Sequence, residues 1–188
     1  MVRRSRYAGR LLVAMPALSD FFDRSVVLIL QHDDSGTQGL VLNKPLDARV
    51  DAVLPQWHAH VSAPAQLFQG GPVGMDSALG LVQMPEDGTD ATVVGVNLLG
   101  GGVGLVDLDA PAEAILPQVR ALRVYVGYAG WTPGQLADEV EQGAWQVVDA
   151  QPRDPFGADA AALWRTVLMR QRNRLSWLAT YTEHPERN

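Results

Sequence analysis

The sequence predicts an α+β fold built on a mostly antiparallel sheet, and three observations carry that expectation. Val26-Val27-Leu28-Ile29-Leu30, the turn residues Asp33-Asp34-Ser35-Gly36 and the run Gly39-Leu40-Val41-Leu42 follow one another as a β-hairpin. Strands precede and surround the helices without the regular strand–helix alternation of a doubly wound sheet. The two best-specified helices come late, after Trp131.

Gly9 to Met15 reads as the first strand, and Pro16 to Asp23 as a turn with one helical turn in it. The hairpin follows. Val50 to Leu54 reads as a short helix closed by Pro55, residues 58–65 as loop, and Gln66 to Gln69 as a strand entering Gly70-Gly71-Pro72. Leu79 to Met84, Thr92 to Val96, Val103 to Leu108 and Leu122 to Tyr128 read as further strands. Pro111 to Leu116 has helical composition with a proline near its start.

Thr132-Pro133-Gly134-Gln135 has the pattern of a capping box, with Thr132 as N-cap and Gln135 reaching back, and Trp131 with Leu136 is the matching staple pair. Gly143 is placed to stop that helix, and Ala144 to Val148 reads as a strand. A second helix starts near Asp159, with Ala160, Leu163, Trp164, Val167 and Leu168 on one stripe. After Leu175 the chain reads as irregular.

The chain has 188 residues, 47% hydrophobic and 19% charged. That suits one domain over residues 1–188, with a basic tail at 1–8 and an irregular tail at 176–188. No cysteine is present, which removes disulfides, thiolate nucleophiles and cysteine metal sites. The single lysine, Lys44, precedes Pro45, so there is no P-loop; Gly-x-Ser-x-Gly and His-Glu-x-x-His are also absent. No apolar stretch approaches the ~20 residues of a membrane span, and the short run after the basic N-terminus is a poor signal peptide. The expectation is a cytoplasmic protein with no membrane contact and no cofactor.

Charge is uneven: residues 1–10 carry +4, residues 164–188 carry +3, and residues 11–163 carry −13. An acidic body repels phosphate backbones, which argues against a general nucleic-acid binder.

Several phrases taken together resemble the YqgE/AlgH (UPF0301) family. They are Gly9-Arg10-Leu11-Leu12-Val13-Ala14 with Pro16, Asp20 with Phe22, Arg24-Ser25-Val26-Val27, and His32 with Gly39-Leu40-Val41-Leu42-Asn43 and Pro45. Gly70-Gly71-Pro72-Val73, Gly127-Tyr128-Ala129-Gly130-Trp131 with Pro133-Gly134-Gln135-Leu136, and Gly143-Ala144-Trp145 complete the set. The resemblance implies a strongly twisted, bifurcated sheet closing into a pseudo-barrel with flanking helices. It implies no established activity, only a label as a transcriptional regulator. Some members carry a cysteine, and a thiol-based role does not transfer to a chain that has none. Leu98-Leu99-Gly100-Gly101-Gly102-Val103-Gly104 looks like a variation of this branch.

Arg24, Ser25, His32 and Asn43 form the best polar constellation. Across an antiparallel pair Arg24 and Asn43 approach one another, and an Arg, an amide and a hydroxyl suit a carboxylate or phosphate. The structural reading beside it pairs Arg24 with Asp20 or Asp23 and has Asn43 cap a turn. Gly70-Gly71 suits an anion nest, or a bend in a curved sheet. Tyr128 is explained by neither capping nor stapling. His58-Ala59-His60 and Asp107-Leu108-Asp109 would each, as strand, put two like ligands on one face, without a third ligand for a metal. Gly100-Gly101-Gly102 lacks the dinucleotide-binding register.

The leading reading is a non-catalytic binding or regulatory module for a small anion or a peptide from a protein partner. The rival is a hydrolase or transferase with His32 as general base, Arg24 and Asn43 stabilising negative charge and Ser25 as nucleophile. A third reading, DNA regulation, requires strongly salt-dependent duplex binding. The sequence leaves the oligomeric state open.

Overall fold

The computed structural model describes residues 7–85 and 93–180. Arg3, Arg4 and Arg6 of the basic tail, Thr92, and residues 181–188 including His184 lie outside the described residues.

The strands are β1 (Leu11–Ala14), β2 (Val26–Asp33), β3 (Gly36–Val41), β4 (Pro45–Arg49), β5 (Gln66–Gln69), β6 (Val73–Gln83), β7 (Val96–Gly100), β8 (Val103–Val106), β9 (Ala121–Trp131) and β10 (Trp145–Val148). The helices are α1 (Val50–Val53), α2 (Ala112–Ile115), α3 (Gln135–Glu141), α4 (Leu163–Met169) and α5 (Leu175–Leu178). Short 3-10 segments occupy Asp20–Phe22, Pro55–His60, Leu116–Gln118 and Asp154–Phe156.

Among the described residues ten strands form one curled half-barrel in the order β10-β1-β2-β3-β9-β6-β8-β7, with β4 and β5 off that path. All pairings between strands are antiparallel except β5 with β9. The fold is α+β. The bifurcation is at β9. One edge of β9 pairs with β6; the other is shared, with Tyr125 and Val126 facing β5 and residues 129–131 facing β3.

Strand β1 and the start of β2 are apolar at every position because both of their faces are covered. Leu11, Val13, Val26 and Leu28 point to a core shared with Phe68, Tyr125 and the α4 side chains. Leu12, Ala14, Val27 and Ile29 point the other way, to a core with Trp131, Leu136 and Trp145. A third cluster around Trp57, Val82, Ile115 and Val124 covers the other branch. Helix α4 has seven residues, too few to stand alone in water. It is held by burying Leu163, Trp164, Val167 and Leu168, each worth about 1.5–3 kcal/mol. It starts at Leu163, later than the start expected near Asp159, because the Asp159 carboxylate accepts from Ala162 N (3.0 Å) in a turn that precedes the helix.

Four further expectations need correction. The Thr132 capping box is a Pro-Gly turn: Gly134 has φ +82°, and Gln135 N donates to Thr132 O at 3.1 Å. Proline in the second place and a left-handed glycine in the third favour that turn over a helical start. The reciprocal half of the box survives, since Thr132 N donates to Gln135 Oε1 at 3.0 Å. The strand expected over Thr92–Val96 begins instead at Val96 and runs into the glycines, because Val94-Gly95 is a turn. Residues 58–60, read as loop, continue the 3-10 segment from Pro55. The stretch after Leu175 holds α5, with Leu175 N accepted by Asn173 Oδ1 at 2.9 Å. Gly143 does end α3: Gly143 N donates to Val140 O and Ala144 N to Glu139 O, the two bonds of a Schellman motif.

Candidate functional site

The polar constellation splits into two ends of the β2–β3 hairpin. At the near end, Asn43 clasps the strand start: its Nδ2 donates to Arg24 O (2.8 Å) and its Oδ1 accepts from Val26 N (2.9 Å). Ser25 is fully buried, and its Oγ donates to Phe22 O at 2.8 Å. Arg24 takes φ +50°, and its guanidinium carbon lies 5.5 Å from the Trp164 ring centroid. These groups hold the turn that feeds β2. Lys44 joins them, donating to Asp23 O at 2.8 Å, and desolvation lowers its pKa.

His32 sits at the far end, opposite Thr37 in the register. With six residues from Val26 to His32 and a strand rise near 3.3 Å, the two ends are about 20 Å apart. The His32 Nδ1 is 2.6 Å from Thr37 Oγ1, and the Tyr7 ring meets the imidazole edge-on at 4.8 Å. The arrangement of His32 as base beside Arg24, Asn43 and Ser25 is therefore not assembled, because an extended strand separates the residues that the hairpin was expected to gather.

Gly70 and Gly71 lie at the fork. Gly70 N donates to Val126 O and its carbonyl accepts from Val41 N, both at 2.8 Å, so its N–H does not face an anion. A Cβ on Gly71 would lie 1.9 Å from the Tyr128 carbonyl carbon. Close approach of two backbones is what requires glycine here. Gly100, Gly101 and Gly102, with φ of +108°, +61° and +77°, form the tip between β7 and β8. His58 and His60 share a 3-10 segment, and Asp107 Oδ1 accepts from Asp109 N in the turn before α2. Among the described residues no three His, Asp or Glu side chains form a metal-ligand group.

Tyr128 is half-buried against the main core. It lines a groove of about 450 Å³ where the hairpin tip meets the end of β9 and the Pro-Gly turn. Gln31, Thr37 and Gln38 come from the hairpin, Val73 from β6, and Trp131 with Pro133 from the far wall. Among the described residues no charged side chain lines this groove. Among the described residues, neither the Tyr128 hydroxyl nor the Gln38 amide has a hydrogen-bond partner. The exposed Val73 and Met75 lie on the adjoining bulge of β6. Just below the groove, Asp33 organises the hairpin turn. It accepts from the Ser35 hydroxyl, the Gln31 amide and Ser35 N, and these bonds lower its pKa to about 2. Sequence reading missed Gln38, Thr37 and Pro133; the signal available was the unexplained phenol two residues before Gly130.

A curled, forked α+β half-barrel with a neutral polar groove is the class that the fold and the site define. The AlgH-like family (DUF179) matches residues 11–176, and the chain belongs to that family. It is 47% identical to a UPF0301 protein of Streptomyces avermitilis over 190 positions, covering 100% of this chain and 98% of the relative. A UPF0301 protein of Streptomyces coelicolor is likewise 47% identical, with the same coverage. The crystal structure of a Corynebacterium diphtheriae protein superposes with a TM-score of 0.89 at 35% identity, covering 96% of this chain and 95% of that one. The solution structure of AlgH from Pseudomonas aeruginosa gives 0.68 at 26% identity, covering 98% and 100%. No helix among the described residues is long and apolar enough to cross a membrane.

Proposed function

We propose that the protein is a non-catalytic binding module, acting in the cytoplasm, that takes an uncharged peptide segment of a protein partner in the Tyr128 groove. One observation carries the reading: among the described residues the groove wall has no cation to select an anion, yet it offers a free phenol and a free amide beside Trp131 and Pro133. An amide presents both donor and acceptor, as a peptide backbone does, whereas an anion needs donors alone. Aromatic and proline surfaces supply contact area at low entropic cost. A non-catalytic role is supported by the engagement of Ser25, Asn43 and His32 in local bonds. Of the two ligands that the sequence suggested, the groove favours peptide over small anion.

The test is an NMR titration of the labelled chain with a library of uncharged, proline-containing octapeptides, with inorganic phosphate in parallel. Peptide is expected to shift the amides of Thr37, Gln38 and Gly130, and Tyr128→Ala to weaken binding by about tenfold, the loss of a buried aromatic contact. Phosphate shifting those amides, or no peptide shifting them, refutes the reading.

A further inference from the structure

The curled sheet does not close. Its end strands, β10 and β7, do not pair among the described residues, and a Cβ on Gly9, just before β1, would meet only Leu99 O of β7, at 3.8 Å. A cavity of about 340 Å³ opens along this seam, apart from the Tyr128 groove. Its size is at the small end of ligand pockets, about 300–1,000 Å³.

Three properties of its wall limit what fits. First, Leu11, Leu28 and Val103 line it and also belong to the main core, with Leu99 and Ala150 packed against them. An apolar group entering the seam extends that core. Second, among the described residues Asp154 is the one ionisable side chain in the lining, and its charge is already matched. Arg170 grips both carboxylate oxygens (2.6 and 2.7 Å), and Gln151 N donates at 2.7 Å. No net charge is left to attract an ionic ligand. Third, Gly100 and Gly101 edge the mouth in left-handed conformations, and a Cβ on either would meet nothing within 4 Å. The two glycines therefore bring only backbone to the entrance, beside the Leu99 side chain.

We propose that this seam is a binding site for a small, uncharged aliphatic molecule, with the Gln151 Nε2 in its lining to donate to a hydroxyl or carbonyl oxygen, the Gln151 Oε1 already accepting from Arg153 Nε at 3.0 Å. The site is independent of the peptide reading.

The experiment titrates methyl-labelled protein with 1-butanol, 1-pentanol and 1-hexanol, with glycerol and hexylammonium as controls. Saturable shifts are expected at the Leu11, Leu28, Leu99 and Val103 methyls. Affinity should rise about fourfold per methylene, the increment for burying one CH₂. Glycerol and hexylammonium should bind at least about tenfold more weakly than 1-hexanol, lacking either the chain or the neutrality. Ala150→Phe fills the cavity and should abolish the shifts while Tyr128→Ala leaves them intact. If Ala150→Phe does not fold, Leu99→Gln, at the mouth, serves in its place. No saturable shift, no chain-length dependence, tighter binding of hexylammonium, or undiminished binding in the filled variant would each overturn the proposal.

Discussion

Arg123 is the sharpest test of how the fork is held. It lies on β9 with 1% exposure and no carboxylate partner among the described residues, a rare state for a cation. Its Nη1 donates to Gly157 O (3.1 Å), its Nη2 to Ala63 O (2.6 Å), and the guanidinium carbon lies 4.3 Å from the Phe68 ring centroid. Its Nε is buried without a partner among the described residues. Burial lowers its pKa, with Tyr125 acting in the opposite direction. The side chain thus ties two loops, around residues 63 and 157, to one strand. Hydrogen bonds to a charged donor contribute about 1.5–3 kcal/mol each, so losing two costs about 3–6 kcal/mol. Relief of the desolvated charge offsets part of that loss. Arg123→Ala also forfeits packing on Phe68, and a loss of about 4 kcal/mol is expected. Arg123→Met keeps the stem and should lose about 2 kcal/mol. Urea denaturation read by tryptophan fluorescence and circular dichroism measures both, with coincident transitions required. For a chain of this size the Ala variant should melt roughly 8–16 °C lower. If the Met variant is as stable as the parent, the two carbonyls do not depend on the guanidinium and the argument fails.

The Asp33 carboxyl should titrate near 2 by carbon-detected NMR, against about 3.9 in the unfolded chain. Its folded pKa is depressed, so its contribution to stability is present above about pH 3.9 and is lost as pH falls towards 2. Asp33→Asn should erase that dependence, and a midpoint near 3.9 would contradict the turn geometry. Asn43→Ala leaves Arg24 O and Val26 N without their partner and should cost about 2 kcal/mol in chemical denaturation. Asn43→Asp restores only the acceptor and should fall between the two.

The hairpin was legible because its signals are local: an apolar run, dense turn residues and a second run sit within 17 positions, Val26 to Leu42. The Trp131–Leu136 contact and the Gly143 stop were legible for the same reason, and both lie in or beside α3. Strand β4 was not, because Pro45–Arg49 alternates half-buried and exposed residues and begins with proline, which masks a short outer strand. The first half of β6 was hidden by its bulge, where residues 74–77 loop out between the Val73 and Ala78 pairings. At the site, residue types were legible and their partners were not. Asn43 finds Arg24 and Val26 across 19 and 17 residues. Arg123 finds its acceptors across 60 and 34. Its one sequence signal was being the sole charge in Leu122–Tyr128.

The first strand is completed by the last. Residues 11–14 pair with residues 145–148, and the Trp164 indole donates to Ala14 O across 150 residues. During synthesis β1 therefore keeps one edge unsatisfied until residues 145–148 have emerged, and its apolar Leu-Leu-Val-Ala segment is open to aggregation for that interval.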